Sequence, residues 1–330
     1  MLDVASPWNA LADTALAGEP IAREDALAVL RAPDTELLAV LDAAFRVRRA
    51  AFGLKVKLNM IVNAKSGICP EDCGYCSQSV VSTAPIAKYS MLKADVLVDG
   101  AREAWSRKAR TYCIVASGRG PSARELREVT SAVRQIKDEL PMKVCACLGL
   151  LTADQARELR AAGVDRYNHN VNTAASHHGR ITTTHTYDDR VATIEAVKEA
   201  GISPCAGFIA GMGETDEQVV DVAFALRELD ADSIPVNFLN AIPGTPLEGT
   251  DGLNPRRCLR ILALLRLVCP TKEIRVAGGR EVNLRSLQPL ALYAANSIFV
   301  GDYLTTEGQA AQADWAMLED LGFEIEECAL

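Results

Sequence analysis

The sequence of 330 residues lacks a long apolar run, an excess of positive charge and any low-complexity tract. No stretch approaches the roughly 18 apolar residues that a helix needs to cross a bilayer. The best candidate, residues 261–269, is short and contains Arg266. The formal net charge of -8 argues against binding to nucleic acid or to an anionic membrane surface. Because hydrophobic residues still make up 49% of the chain, we expect a folded globular protein with a sizeable core.

The N-terminal sequence carries no export signal. Its first ten residues, MLDVASPWNA, have neither the charged nor the apolar segment of a secretory signal, and they are not rich in arginine. We therefore expect a cytoplasmic protein. Ten cysteines are present, and in a reducing compartment cysteines of this number favour metal binding or catalysis over disulfides.

The chain divides into three regions by pattern. Residues 1–53 have apolar positions at helical spacing and no strand-like run, which predicts an N-terminal helical extension. Residues 54–310 alternate short β-type runs with helical patterns. Residues 311–330 are expected to form a C-terminal helix or tail. No linker or internal repeat interrupts the middle region, so we expect one domain there.

Eight strand-like runs indicate a parallel sheet with crossover helices. The runs are residues 55–63, 110–117, 143–148, 166–172, 204–210, 234–240, 273–277 and 297–303. The helix start signals between them are Ser122 with Glu125, Thr152 with Gln155, Thr186 with Asp189, Thr215 with Gln218, and Asn254 before Pro255. This α/β pattern fits a closed (β/α)8 barrel of the TIM type. A doubly wound open sheet is the alternative.

Three cysteines, Cys69, Cys73 and Cys76, follow the first predicted strand with the spacing C-x3-C-x2-C. Their loop lies at the carboxyl end of the strand, where barrel enzymes build their active sites. Three thiolates on one loop bind a metal or an iron–sulfur cluster, and three ligands leave one iron of a four-iron cluster open. The alternatives are a zinc loop with a fourth ligand elsewhere, or cysteines that are simply buried.

Strand alternation places further cysteines inside the barrel, because residues i and i+2 share one face. The apolar neighbours of Arg275 suit the helix layer, which turns Arg275 inward. The same alternation turns Cys113, Cys145, Cys147 and Cys205 inward. A buried guanidinium needs an anionic partner, which the sulfurs of a cluster could supply. The alternative is a core of small thiols in which Arg275 binds a substrate carboxylate.

The fourth strand carries Asn168, Asn170 and Asn172 at alternate positions. Their amides face one way, and inside a barrel they need polar partners such as a ligand. His169 faces the other way and is expected to pack against or support its neighbours.

The remaining histidines and cysteines fit no metal motif. His177, His178 and His185 lie in a predicted loop without the i, i+4 spacing of helical metal ligands, so we expect them to bind no metal. Three further cysteines are expected to be ordinary buried or incidental thiols. They are Cys258, Cys269 and Cys328.

The longer motif GICPEDCGYCSQS contains the cysteine triplet and an aromatic residue before its last cysteine. It resembles the radical S-adenosylmethionine (SAM) superfamily, and the biotin synthase family in particular. The resemblance continues in order through YNHNVNT, GFIAGMGET, IPVNFLNAI, IRVAGGRE and AANSIFVGDYLTT, and it covers about residues 50–310. Several motifs in one order are more specific than the triplet alone.

The resemblance implies a [4Fe-4S] cluster that is held by the triplet and binds SAM, and a [2Fe-2S] cluster that donates sulfur. The residues implied to hold the first cluster are Cys69, Cys73 and Cys76, and those implied to hold the second are Cys113, Cys145, Cys205 and Arg275. Cys147 shares a face with Cys145, so the sequence leaves it open as a ligand. It also leaves open a second [4Fe-4S] cluster on four cysteines.

The resemblance also implies the residues that contact the two small molecules. Those matching SAM contacts are Tyr75, Asn170, Asn172, Arg190 and Ile209, and those matching contacts to the substrate's ureido ring are Asn168 and Asn237. Some relatives carry Asp in place of Asn172. An amide donates as well as accepts hydrogen bonds, so this position's contact with SAM stays open.

The activity implied is the conversion of dethiobiotin to biotin by hydrogen abstraction and sulfur insertion. Unactivated C–H bonds have no acidic proton, so a cofactor radical is needed to reach them. The electrons come from a donor such as flavodoxin or ferredoxin, and the family implies a homodimer. The alternatives are another radical SAM enzyme with a different small substrate, and a non-catalytic zinc-binding protein.

Overall fold

A computed structural model describes residues 6–327 of the chain. Within them, ten strands join one sheet, and every pairing between strands is parallel. The strands are β1 (Lys55–Lys65), β2 (Thr111–Ala116), β3 (Lys143–Cys147), β4 (Arg166–Asn168), β5 (Ser203–Cys205), β6 (Phe208–Ala210), β7 (Ser233–Phe238), β8 (Glu273–Val276), β9 (Ser297–Phe299) and β10 (Glu324–Ile325).

The sheet closes on itself. β1 pairs with β2 on one side and with β9 on the other. β5 and β6 both pair with β7 and together occupy one strand position of the ring. The remaining strands follow one another in chain order. This confirms the predicted (β/α)8 barrel and excludes the open sheet.

The α-helices surround this barrel. They are α1 (Pro7–Leu16), α2 (Arg23–Arg31), α3 (Leu37–Phe52), α4 (Ala94–Ser106), α5 (Ala123–Glu139), α6 (Ala153–Ala162), α7 (Ala175–His178), α8 (Tyr187–Glu199), α9 (Asp216–Glu228), α10 (Pro255–Val268), α11 (Arg280–Leu284) and α12 (Ala311–Asp320). Two 3-10 helices span Asp34–Glu36 and Arg285–Tyr293. The start signals predicted for α5, α6, α8 and α9 all form capping boxes, and Asn254 caps α10. None of the helices within residues 6–327 has the length and apolar character to cross a membrane.

Three predicted strands differ from the observed ones, and one of them, residues 204–210, is divided into β5 and β6. β4 stops at Asn168, short of the predicted end at Asn172, which takes a left-handed conformation with φ of 67°. Asn tolerates that region better than other non-glycine residues, so the chain turns there. The last predicted strand stops at Phe299, and Gly301 then turns the chain with φ of 76°. β10 has only two residues, too few to leave a periodic pattern in the sequence.

The N-terminal helices confirm the helical pattern of residues 1–53 where the structure describes them. α1, α2 and α3 pack against the barrel helices α9 and α10. Trp8, Val29 and Val40 belong to the same apolar core as the outward-facing strand residues Ile114 and Ile274. The division of the chain at residues 53 and 310 stays a prediction.

Arg48, on α3, is fully buried and joins that helix to the barrel. Its guanidinium donates to the carbonyl oxygens of Gly53, Lys55 at 2.8 Å and Ala295 at 3.3 Å. Its Cζ also lies 4.6 Å from the centre of the Phe323 ring. Burial lowers the pKa of Arg48 to about 10, which still leaves the side chain charged at neutral pH. Arg48 thus connects α3 with the start of β1 and with the segment just before β9. These two strands pair where the barrel closes.

We expect Arg48→Ala to lower the free energy of unfolding by about 3 kcal/mol, because buried carbonyls lose their donors and a cavity remains. The neighbouring Arg49 on the same helix is exposed. Arg49→Ala is therefore the control and should change stability by less than about 0.5 kcal/mol. Urea denaturation of both variants measures the difference, and equal small losses would contradict the role given to Arg48.

Candidate active site

A cavity of about 320 Å³ opens at the carboxyl ends of the barrel strands. The loop after β1 contributes Cys69, Cys73 and Cys76 to its wall near the mouth. Cys113 and Arg275 line it from inside the barrel. The loop cysteines and Cys113 therefore face one space at two depths.

The cysteine loop is held in place by Asp72. Its carboxylate accepts hydrogen bonds from the Thr182 hydroxyl at 2.6 Å and from the Thr183 amide at 2.9 Å. Burial alone would raise the pKa of Asp72, but these hydrogen bonds outweigh burial and hold that pKa well below its usual value. The ionised side chain therefore fastens the loop to the segment that precedes α8.

The thiols of the loop are protonated in the metal-free protein. Burial raises the pKa of Cys69, Cys73 and Cys76, and that of Cys76 reaches about 12. Binding of iron must therefore release these protons. Among residues 6–327, no group of three or more His, Cys, Asp or Glu side chains is arranged as the ligands of a single metal ion.

Cys113, Cys145 and Cys205, called here the floor cysteines, lie together inside the barrel. Cys113 lines the deep end of the cavity, and the other two are buried beside it. Cys113 and Cys145 are register partners on β2 and β3, and all three thiols share a buried group with Phe299. The neighbouring thiols of Cys113 and Cys205, together with burial, raise the pKa of Cys145. The neighbouring Cys145 thiol and the positive charge of Arg275 lower the pKa of Cys205. Strand alternation predicted this grouping correctly.

Cys147 lines the cavity one step nearer the mouth than Cys145, opposite Val115 in the register of β2 and β3. It stands outside the group of floor cysteines, and burial raises its pKa to about 12. Cys258 and Cys269 are buried in the main apolar core, which confirms the prediction for them. Cys328 lies outside the described residues.

Arg275 has a protein carboxylate as its partner, which sequence reasoning missed. Its Nη2 donates to Glu273 Oε1 at 2.6 Å, while its Nη1 lies 4.0 Å from the sulfur of Cys205. Glu273 stands two residues before Arg275, so the alternation that turns Arg275 inward turns Glu273 inward as well. The guanidinium is therefore compensated even without a cluster.

All three asparagines of the fourth strand line the cavity, although β4 itself ends at the first of them. Asn168 Nδ2 donates to Asn170 Oδ1 at 3.0 Å, and the same oxygen accepts from the Gly207 amide at 3.0 Å. Asn172 Nδ2 donates to the Tyr75 hydroxyl at 2.8 Å. Among residues 6–327, Asn168 Oδ1 and Asn170 Nδ2 take part in no hydrogen bond, so both are available to a ligand.

Ile209 and Asn237 are register partners on β6 and β7, and both line the cavity. Asn237 Nδ2 donates to the Phe208 carbonyl at 3.2 Å, and its Oδ1 accepts from the Gly278 amide at 3.0 Å. These two bonds fix the orientation of the Asn237 amide. Ile209 packs in a small apolar group with Tyr75 of the cysteine loop.

Arg190, on α8, lines the cavity and is held by contacts that sequence reasoning missed. Its Nε and Nη2 donate to His185 Nε2 at 3.0 Å and 2.7 Å, and its Nη1 donates to the Asn170 carbonyl at 2.8 Å. His185 Nδ1 donates in turn to Glu71 Oε2 at 2.5 Å. Burial and the charge of Arg190 lower the pKa of His185, so its ring is neutral with the proton on Nδ1. Glu71 thereby links the cysteine loop to Arg190.

The prediction that His177, His178 and His185 lie in one loop is partly wrong. His177 and His178 end the short helix α7 and are buried, whereas His185 lies in the loop before α8. A helix of four residues is too short to leave a periodic pattern. His169 is buried, with its ring centre 6.5 Å from that of Tyr167, in keeping with its expected packing role, and it also lines the cavity.

Comparison with known proteins defines the class. The family model "Radical SAM superfamily" matches residues 64–226, and "Biotin and Thiamin Synthesis associated domain" matches residues 235–324. The structure of methylornithine synthase superposes with a TM-score of 0.84 at 20% identity, over 96% of this chain and 97% of that one. The FeFe-hydrogenase maturase HydG from Carboxydothermus hydrogenoformans gives 0.82 at 16%, over 98% and 80%. At these identities the two structures support the fold alone. Fold, cysteine loop and family match together define a radical SAM enzyme.

Named relatives narrow this class to one family. A biotin synthase of Geobacillus thermodenitrificans is 65% identical over 97% of this chain and 96% of its own. A biotin synthase of Bacillus pumilus is 63% identical over 98% of each chain. The chain belongs to the biotin synthase family. It uses a [4Fe-4S] cluster, a [2Fe-2S] cluster and SAM, and the loop cysteines and floor cysteines are two groups of thiols that fit that need. A non-catalytic zinc-binding protein is therefore excluded.

Gly207 separates β5 from β6 and lets this part of the site approach β7. A Cβ placed there would lie 1.9 Å from the Pro235 carbonyl oxygen. We therefore expect Gly207→Ala to lower the free energy of unfolding by about 3 kcal/mol through overpacking. At Gly179, a Cβ would meet nothing within 4 Å and φ is -65°, so Gly179→Ala is the matched control. Urea denaturation compares the two, and equal stabilities would contradict the close contact at Gly207.

Proposed function

We propose that the chain converts dethiobiotin to biotin by radical insertion of sulfur. The observation that carries the proposal is one cavity, in a member of the biotin synthase family, whose wall holds the three loop cysteines and, deeper in, Cys113 of the floor cysteines. When bound, the [4Fe-4S] cluster with SAM supplies a 5′-deoxyadenosyl radical, and the [2Fe-2S] cluster supplies sulfur. The chain's own residues bind, orient and shield these groups.

Cys69, Cys73 and Cys76 would hold the [4Fe-4S] cluster. Three ligands from one short loop leave the fourth iron without a protein ligand, which suits the binding of SAM. Asp72 fixes the loop from one side through its bonds to the segment before α8. Glu71 fixes it from the other through His185. A loop held at two points keeps the thiols in one arrangement before iron binds.

Cys113, Cys145, Cys205 and Arg275 would hold the [2Fe-2S] cluster. The three thiols come from β2, β3 and β5 of the barrel wall and need no long loop to bring them together. Burial lowers the pKa of Arg275, but the charge of Glu273 outweighs burial and raises it, so the guanidinium is charged in the metal-free protein. Arginine is an unusual iron ligand for that reason, and its assignment here follows the family resemblance.

Five side chains would bind SAM. They are Tyr75, Asn170, Asn172, Arg190 and Ile209. Arg190 brings a positive charge for the SAM carboxylate, and its two bonds to His185 fix its direction. The left-handed backbone of Asn172 turns its amide toward the cysteine loop, where the amide can bond a ribose hydroxyl. Ile209 offers an apolar surface for adenine next to Tyr75.

Asn168 and Asn237 would bind the ureido ring of dethiobiotin. That ring has N–H donors and a carbonyl acceptor, and an Asn amide complements both. Asn168 Oδ1 is available as an acceptor, while the Asn237 amide is already oriented by its two backbone contacts. A ureido ring held by these side chains lies between the mouth and the floor cysteines, because both asparagines line the cavity wall.

The reaction needs electrons, which we assign to a carrier of the flavodoxin or ferredoxin type. The cysteine loop borders the mouth of the cavity, which supports electron entry from that side. A homodimer and a cytoplasmic location are part of the same proposal. The ten cysteines and the oxygen-sensitive clusters favour a reducing compartment. We also propose the division into a helical extension (1–53), a radical SAM barrel (54–310) and a C-terminal helix or tail (311–330).

An anaerobic assay of reconstituted protein with SAM, dethiobiotin and a reductant tests the function. Mass spectrometry should find biotin with about two equivalents of 5′-deoxyadenosine, because two carbon atoms each lose a hydrogen. Formation of 5′-deoxyadenosine that is unaffected by dethiobiotin, without biotin, would favour another radical SAM substrate. Neither product from a protein that holds its [4Fe-4S] cluster would overturn the proposal.

The choice between two neighbouring cysteines gives a sharper test of the second site. We expect Cys145→Ser to lose the [2Fe-2S] cluster and biotin formation, because Cys145 is buried in one group with both other floor cysteines. Cys147→Ser is the matched control on the same face of β3 and should keep the cluster. Both variants should keep the [4Fe-4S] cluster. Iron and sulfide analysis with visible spectra measures the outcome, and the reverse pattern would move the ligand to Cys147.

A further inference from the structure

A layer of buried charges lies below the floor cysteines, on the side away from the cavity mouth. Its members are Lys57 on β1, Arg166 on β4, and Glu273 and Arg275 on β8. Their side chains are 11%, 10%, 4% and 2% exposed. No step of the proposed reaction uses Lys57, Arg166 or Glu273, although burying four charged groups in a barrel is costly.

Glu273 is the centre of this layer. Its Oε2 accepts from Lys57 Nζ at 2.9 Å and from Arg166 Nη1 at 2.6 Å. Its Oε1 accepts from Arg275 Nη2 at 2.6 Å and from the Ser233 hydroxyl at 3.2 Å. Both carboxylate oxygens therefore have hydrogen-bond partners. The three neighbouring positive charges offset the cost of burying the Glu273 carboxylate.

These contacts fix the direction of the Arg275 guanidinium. Nη2 donates to Glu273 and to the Ser233 hydroxyl at 3.1 Å, and Nε donates to the Ser297 hydroxyl at 3.2 Å. A guanidinium has five N–H groups, and these three bonds use those on Nε and Nη2. The remaining nitrogen, Nη1, is turned toward the thiols and lies 4.0 Å from the sulfur of Cys205.

The charges of the layer do not balance. It contains three cations and one carboxylate, which is a net charge of +2. The nearest additional carboxylate, Glu326, lies 3.4 Å from Lys57 and is 33% exposed. Excess positive charge inside a protein favours an anion beside it. The floor cysteines face this layer, and as thiolates on iron they would supply that anion.

We propose that Glu273 is a positioning residue of the sulfur-donor site, which holds Arg275 with Nη1 directed at the floor cysteines. Lys57 and Arg166 offset the charge of Glu273 and leave the layer positive toward an anionic cluster. The inference rests on the proposed function, because it requires a [2Fe-2S] cluster at the floor. Its competitor is a purely structural role, in which the ion pairs join β1, β4 and β8 at the closed end of the barrel.

The test uses three variants of the full chain, reconstituted without oxygen from ferrous iron and sulfide. Glu273→Gln keeps the size of the side chain and removes the anchor of Arg275. Lys57→Met removes one cation and keeps the contact between Glu273 and Arg275. The double variant Glu273→Gln/Lys57→Met has the original net charge of the layer but still lacks the anchor of Arg275. If the added net charge keeps Glu273→Gln from folding, the double variant takes its place in the test.

Mössbauer and visible spectra separate the two kinds of cluster, and thermal melting of the metal-free proteins reports the fold. We expect Glu273→Gln and the double variant to lose the [2Fe-2S] cluster by at least about tenfold while they keep the [4Fe-4S] cluster, because partners of metal ligands have effects of this size. Lys57→Met should keep both clusters.

A normal [2Fe-2S] content and spectrum in Glu273→Gln would overturn the inference. Recovery of the [2Fe-2S] cluster in the double variant would also overturn the inference. The net charge of the layer, and not the direction of the Arg275 guanidinium, would then decide whether the cluster binds. Parallel loss of both clusters and of melting temperature in the double variant would assign Glu273 a structural role. Wild-type protein without a [2Fe-2S] cluster would instead refute the sulfur-donor proposal, and the wild-type sample separates that failure from the others.

Discussion

Closure of a parallel barrel sends every second strand residue into a narrow interior, and that constraint governs this molecule. Barrel interiors are usually filled by branched aliphatic side chains. Here the inward positions of several strands carry thiols, amides and charges instead, including Cys113, Cys145, Cys205 and Arg275. The interior is therefore built for chemistry, and apolar packing is concentrated in the layer between the strands and the helices.

The separation of a polar interior from an apolar outer layer explains what the helices around the barrel do. The outward strand residues and the N-terminal helices belong to one apolar core. The N-terminal helices therefore stabilise the barrel by packing on its outer side. Arg48 reinforces the place where β1 meets β9. Inside, Glu273 compensates a guanidinium that would otherwise be buried alone. On the proposed assignment, the cavity would hold the radical source at its mouth and the sulfur source at its floor, with the substrate between them and water excluded.

Local patterns predicted the parts of this structure that depend on local physics. The capping boxes at Ser122 and Thr215 formed, and alternation placed the floor cysteines correctly, because both depend on neighbours in sequence. The connection from Glu71 through His185 to Arg190 was missed, because it joins side chains more than a hundred residues apart. Short elements such as β10 left no periodic signal. The partner of Arg275 could have been found from the sequence, since Glu273 lies two residues away on the same face.

The central claim is that the sulfur of the product comes from the floor of the barrel. Protein reconstituted with heavy-isotope sulfide, freed of excess sulfide and allowed a single turnover with dethiobiotin and SAM, tests it directly. If the floor cluster is the source, biotin should carry the heavy sulfur, and the [2Fe-2S] spectrum should be lost in step with product. Unlabelled biotin, or labelled biotin formed while the [2Fe-2S] spectrum stays unchanged, would contradict it.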